Sequence, residues 1–336
     1  MNTIIKIIFF SFLTLFGSCS HHSETEKHQS KRNNVLNVRD RLKEIEMEDV
    51  LIGSIVRMCI IDDYLIIADH KSFDKLIHLF DKNDYSCLIS IGERGQGPDD
   101  ITLMGHIEPD ETNRVFYVND HGKNVIFGYA LDSVLTNPLY KREVKMKMNT
   151  EQFPDKYCYL NDTMSIGITI IPTSYSTFNQ SVARWNMETE EIIPMVYTNP
   201  KVHNKRIQIA ASLKDGAYVE CYTNYDLMTI CTLDGKLKYN IYGPNWSEEN
   251  GNTQHFGKVT FCDKKIIAAY SGGNRLTDEY YPTKLLVFNM NGDYLITLDF
   301  GHMITDYCYD TEKNRIILNL NAEIQFAYLD LDGIII

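Results

Sequence analysis

The chain has no apolar run long enough to cross a bilayer as a helix. It has no Gly-Lys-Ser/Thr phosphate loop opening a helix, no Gly-x-Ser-x-Gly elbow, and no Cys-x-x-Cys or His/Cys cluster with zinc spacing. Positive charge is also short. The 33 Lys and Arg face 45 Asp and Glu, for a net charge of −12, and no basic stripe interrupts this. Nucleic acid is therefore excluded as an expected partner. Of the eight cysteines, Cys19 belongs to the N-terminal segment, and the remaining odd number cannot form a fully paired disulfide framework. Cys221 and Cys231 flank a possible hairpin and are the one pair the sequence allows to bridge. What is abundant is Tyr (21) and Phe (15), which favours strands over helices.

The N-terminus reads as an address. After Lys6 comes "IIFFSFLTLF", too short for a membrane span, and then "GSCS". Cys19 follows small Gly17 and Ser18 and resembles the cysteine of a bacterial lipoprotein signal, with Phe16 where leucine is usual. Ordinary export cleavage beside a chance cysteine is the alternative. The segment "SHHSETEKHQSKRNN" contains no apolar residue, as a solvated tether should. The expected organisation is a signal peptide over 1–18, a lipidated Cys19 with a flexible tether to residue 34, and a single domain over 35–336. The expected location is the cell envelope, at the outer membrane.

An internal repeat organises the rest. "LIHLFDKNDY", "VIFGYALDSV", "SVARWNMETE", "LMTICTLDGK", "LLVFNMNGDY" and "IQFAYLDLDG" each join an apolar strand to a polar turn, at intervals of about 50 residues. Another strand precedes each of these: "YLIIAD", "RVFYVND", "TMSIGITI", "AYVECYT", "KIIAAYS" and "RIILNLN". Tight acidic or glycine turns come before those strands. Each unit is thus a four-stranded antiparallel meander, which predicts an all-β, six-bladed β-propeller. The last unit lacks its own fourth strand, so Val35 to Val50 is expected to complete it and close the ring.

The stretch "SIGERGQGPDDI" raises the question of a phosphate cradle. No helix follows it, so it reads as a corner between blades. Gly95 and Gly97 are expected to take a left-handed backbone there, with Pro98 stiffening the exit. The longer stretch "IGERGQGPDDITLMGHIEPDETNRVFYVND" resembles the NHL-repeat pattern. The chain from Val35 onward is similar to the TolB-like six-bladed propellers of secreted bacterial lipoproteins, and "YSGGNRLTDEYYPTKLLVFNMNGDYL" adds to the likeness. The resemblance implies a fold and an envelope location, and it carries no catalytic signature.

Strand parity puts the first-to-second and third-to-fourth turns of each meander on one face. The longer remaining connections gather on the other, where binding is expected. Arg94, Arg206, Trp246, Arg275, Tyr280 and Tyr281 are the candidate contacts there, being frequent anchor types. Asp69–His70 and Asp120–His121 recur at equivalent strand ends. They suit acid–base work or metal ligation, or else the aspartates simply cap turns. No catalytic residue and no cofactor is assigned. A divalent cation enters only with the alternative reading, a metal-dependent hydrolase or lyase working in the central funnel. The preferred reading is a monomeric binding module for an envelope protein or small ligand, touching the membrane only through its lipid.

Overall fold

The computed structural model describes residues 24–334 except Glu48, Pro138 and Asn250. The signal peptide and the lipidation expected at Cys19 lie outside the described residues. Strands begin with β1 (Glu26–His28), β2 (Val35–Asn37) and, after a 3-10 turn at Arg39–Arg41, β3 (Lys43–Glu44). The first blade is β4 (Val56–Ile61), β5 (Tyr64–Asp69), β6 (Lys75–Asp81) and β7 (Cys87–Glu93). The second is β8 (Met104–Asp110), β9 (Val115–Asp120), β10 (Val125–Ala130) and, after helix α1 (Leu131–Thr136), β11 (Glu143–Lys147). The third holds β12 (Phe153–Asn161), β13 (Met164–Pro172), β14 (Phe178–Trp185) and β15 (Ile192–Pro194). The fourth holds β16 (Ile207–Ser212), β17 (Ala217–Tyr222), β18 (Leu227–Thr232) and β19 (Leu237–Tyr242). The fifth holds β20 (Thr253–Cys262), β21 (Lys265–Asn274), β22 (Lys284–Asn289) and β23 (Tyr294–Asp299). The sixth is β24 (Ile304–Asp310), β25 (Arg315–Leu320), β26 (Phe326–Asp330) and the returning β3.

Each blade is an antiparallel meander because its strands are short and joined mostly by tight turns; most of its second and third strands are buried on both faces, as strands packed between neighbouring blades must be. The connection carrying α1 is the exception among the otherwise short third-to-fourth turns. Between each pair of neighbouring blades lies one apolar cluster, so the ring is held by six interfaces rather than one core. Large aromatics fill several of them: Trp185 and Tyr157 between the second and third blades, Tyr307 and Phe300 between the fifth and sixth.

Ring closure by the N-terminal chain is seen, but through fewer residues than expected. Within Val35 to Val50 only Lys43 and Glu44 pair with the last blade, opposite Tyr328 and Ala327, and Ile45 N donates to Phe326 O at 2.9 Å. Val35–Asn37 instead adds a parallel fifth strand to the fifth blade. The supposed tether is also different from expectation. Glu26–His28 forms a parallel fifth strand on the fourth blade, opposite Asn240 to Tyr242. A segment without apolar residues can dock because an outer strand offers unpaired backbone groups and because its polar side chains meet aromatic partners. His28 stacks on Tyr242 at 4.6 Å between centroids, and Glu26 accepts from Tyr242 Oη at 2.6 Å and Asn240 Nδ2 at 2.7 Å.

Arg32 is the pin of this strap. Its Nη1 meets buried Asp226 at 2.7 Å, and its guanidinium lies about equally far from the rings of Phe256, Tyr270 and Phe288, between the fourth and fifth blades. Breaking a buried pair from one side leaves a charge without a partner. Arg32→Met is expected to lower unfolding stability by about 3 kcal/mol. Arg32→Met with Asp226→Asn should recover much of that loss in urea melts. An Arg32→Met protein as stable as the parent would show that the strap only rests on the surface.

Candidate functional site

The first strands of the six blades, β4, β8, β12, β16, β20 and β24, stand side by side around a central channel of about 1030 Å³. Each contributes a polar residue to a ring in its lining, Arg57, His106, Lys156, Gln208, Lys258 and Asp306, and β8 adds Glu108. In five blades the next residue, Met58, Ile107, Tyr157, Val259 or Tyr307, is buried between blades. Strand alternation therefore turns the polar neighbour inward.

Part of this ring is already neutralised. Lys258 Nζ lies 3.0 Å from Asp306 Oδ1, and Asp306 Oδ2 also accepts from Met58 N at 2.6 Å, tying the sixth blade to the first. Glu108 accepts from Tyr159 N at 3.0 Å and lies 3.0 Å from His106 Nε2, which also donates to Tyr157 O at 2.8 Å. Lys156 has no carboxylate partner; its Nζ donates to Gln208 Oε1 at 2.9 Å. Burial, and then the charge of Arg57, pull its pKa down to about 8. Arg57 donates only to its own strand, at Val56 O, 3.0 Å away. The thiols of Cys59, Cys158 and Cys308 also line the channel, and burial pushes all three upward, so none supplies a ready thiolate. Among the described residues, no three His, Cys, Asp or Glu side chains gather so as to hold a metal ion.

The rim residues singled out from the sequence are spread around the loop-rich face rather than gathered into one site. Asp69 and Asp120 are buried and do not pair with the histidines that follow them. Asp69 accepts from Gly53 N at 2.7 Å and Lys71 N at 3.0 Å, and Asp120 accepts from the amides of Thr102, Leu103, Gly122 and Lys123. Each aspartate ties the end of one strand to the entry of its neighbour. His70 Nε2 donates to Gly105 O at 2.7 Å, while His121 packs edge-on to Phe153, and burial lowers the pKa of both. Arg94 donates to His70 O. Arg206 lies over Phe178 at 4.2 Å, Arg275 donates to Asn224 Oδ1 and Thr253 O, and Trp246 packs against Tyr242 and Tyr225. Tyr280 and Tyr281 sit together at 4.0 Å between centroids and reach the channel mouth. Cys221 and Cys231 are both free. Their cross-strand partners are Met228 and Tyr218, three rungs apart, beyond disulfide reach.

The channel ring was missed from sequence, although a signal was present. The first strands "VRMCII", "HIEPD", "KYCYLN", "IQIAAS", "GKVTFC" and "TDYCYD" each hold a polar residue inside an otherwise strand-like run. Aligning them, as the second and third strands were aligned, would have exposed one inward polar position per blade.

The glycine loop is a corner, for a different reason than expected. Gly92 has a positive φ of 77°, whereas Gly95 and Gly97 do not. Their constraint is space: a Cβ on Gly95 would lie 2.1 Å from Asp100 Oδ2, and one on Gly97 would lie 2.8 Å from it. Asp100 folds back to accept from Gly97 N at 2.8 Å. The loop aims carbonyls, not amides, at its charged neighbour: Lys123 Nζ donates to Gly97 O at 2.6 Å and to Asp100 O at 2.7 Å. That polarity is the reverse of a phosphate cradle. Gly95→Ala should cost about 1–3 kcal/mol by overpacking. Combining it with Asp100→Ala should give less than the sum of the two losses in urea melts. Strict additivity would place the strain elsewhere.

Residues 45–163, the first two blades and the start of the third, match DUF5128, described as a 6-bladed beta-propeller. No curated protein matches the chain. Among solved structures, a DUF4221 family member from Bacteroides vulgatus is 10% identical, with a TM-score of 0.60 over 89% of this chain and 98% of that one. A Bacteroides fragilis protein classed as exported is 11% identical, with a TM-score of 0.52 over 88% and 87%. A gluconolactonase from Xanthomonas campestris is 11% identical, with a TM-score of 0.50 over 80% and 82%. At these identities the likeness is one of fold, and the fold is a six-bladed β-propeller.

Proposed function

We propose that this chain is an exported, lipid-anchored binding propeller whose loop-rich face receives an envelope partner. The observation that carries this reading is the display of large apolar side chains on that face. Phe73 and Tyr175 are as exposed as in an open chain, at 103% and 109%, and Leu51, Leu103 and Leu276 join them on other connections of the same face. Exposed apolar side chains collected on one surface mark contact sites. The opposite turns carry two, Leu139 and Leu213.

The strap agrees with this orientation. Strand β1 runs parallel to β19, toward the loop-rich face, so the chain ahead of it approaches from the tight-turn side. With Cys19 as the lipidated residue, the residues between it and Glu26 span at most about 22 Å. The tight-turn face then lies near the membrane and the apolar loops face outward. The NHL-like and TolB-like resemblance, and the fold shared with a protein classed as exported, support the same reading.

Photo-crosslinking in intact cells tests it. A crosslinkable residue at Phe73 or Tyr175 should trap a discrete envelope partner, and one at Leu139 should not. Cys19→Ala should lose fatty-acid labelling and leave the membrane fraction. Equal crosslinking from Leu139, or a membrane-bound Cys19→Ala protein, would contradict the reading.

A further inference from the structure

We propose that the central channel is a binding site for a small organic carboxylate, held between Arg57, Lys156 and Gln208. This site is separate from the loop-rich face and does not depend on a partner docking there. The argument rests on charge that the protein leaves uncompensated in a confined space. The lining sets Arg57, Lys156, Lys214 and Lys258 against Glu108, Asp110, Glu111 and Asp306, so what distinguishes its charges is which of them are paired. Lys258 is paired with Asp306, and Glu108 is occupied by Tyr159 N and His106. On the inward ring Arg57 and Lys156 remain: they come from different blades, have no ion-pair partner among the described residues, and sense each other's charge.

Two cations held near one another without a counter-ion are costly where water is limited. An anion between them removes that cost. The planar fork of Arg57 suits a carboxylate. Gln208 completes the set: its Oε1 accepts from Lys156, and its amide nitrogen donates to no group among the described residues, so it can donate to the second carboxylate oxygen. The channel volume of about 1030 Å³ leaves room for a body behind the acid group, with Tyr280 and Tyr281 at the mouth to lie against it.

The site should also titrate. Arg57, Asp155, Lys258 and Asp306 act on the charge of Lys156, and the lining adds His106, Glu108, Asp110, Glu111, Lys214 and the thiols of Cys59, Cys158 and Cys308. Lys156 is the group whose charge changes near neutrality, losing its proton as pH rises through about 8. Carboxylate binding should therefore weaken across that range.

The test uses the full chain, thermal melting and titration calorimetry, with acetate and glucuronate as probes. Phosphate, sulfate and uncharged glucose serve as comparisons at matched ionic strength. Acetate is small enough to enter whatever body the natural ligand carries. Acetate and glucuronate should raise Tm saturably at pH 7, and the effect should fade by pH 9. Lys156→Met and Arg57→Met should each cut affinity at least tenfold. Without probe, Lys156→Met should melt above the parent at pH 7, because a half-buried cation without a counter-ion is gone. Lys156→Gln serves as the second variant if the Met substitution disturbs packing. An unchanged melting curve with every anion overturns the site. Equal binding by Lys156→Met or Lys156→Gln overturns it too, and preference for phosphate or sulfate overturns the carboxylate.

Discussion

Six inner strands can enclose a channel only if the first lies against the last. Two residues, Lys43 and Glu44, hold that closure by pairing with β26. Their contribution is small in area but decides topology: without it the sixth blade lacks a fourth strand and keeps an open outer edge. Closure is reinforced inside the ring, where Asp306 on β24 accepts the backbone amide of Met58 on β4. It is reinforced outside by the strap, which lays β1 and β2 over the outer edges of the fourth and fifth blades and pins them with Arg32. A chain of neighbour-only interfaces gains its cooperativity from such a clasp.

Closure also fixes what the channel can do. It brings side chains from six separate repeats to one level, so the charge pattern there belongs to the ring and to no single blade. The paired members, Lys258 with Asp306 and His106 beside Glu108, stiffen the wall. Arg57 and Lys156 are left facing the space. A structural wall and an unsatisfied cation pair in the same ring is the arrangement of a receptor site, with recognition supplied by electrostatics and access by the loops above it. The loop-rich face and the channel then offer two kinds of contact, one broad and apolar, one narrow and charged.

Much of the architecture was legible because propeller repeats write themselves locally. Short apolar strands such as "YLIIAD" and "RIILNL", with acidic turns beside them, dictate hairpins without long-range information. The strap was not legible, since "EKH" and "VLN" dock by backbone pairing and polar contacts that depend on where the outer strands end. The glycine loop was half legible. Its composition announces a turn, but the need for glycine at position 95 comes from the side chain of Asp100 folding back, which composition does not reveal. The rim residues Arg94, Arg206 and Arg275 were picked for their type, and each turns out to donate to loop backbone or to a neighbouring amide side chain, so their first role is to shape loops. The channel ring needed the register of all six first strands, which no single repeat displays.

The most direct measurement of the closure claim is amide hydrogen exchange at Met58 and through β26, comparing the intact chain with one lacking the residues up to Glu44. The account predicts that Met58, Ala327 and Tyr328 exchange at least tenfold faster in the shortened chain, while β9 and β13, in blades to which no N-terminal strand pairs, keep their protection. Unchanged exchange at Met58 and β26 would show that the ring stays shut without the N-terminal strand, and would contradict the account.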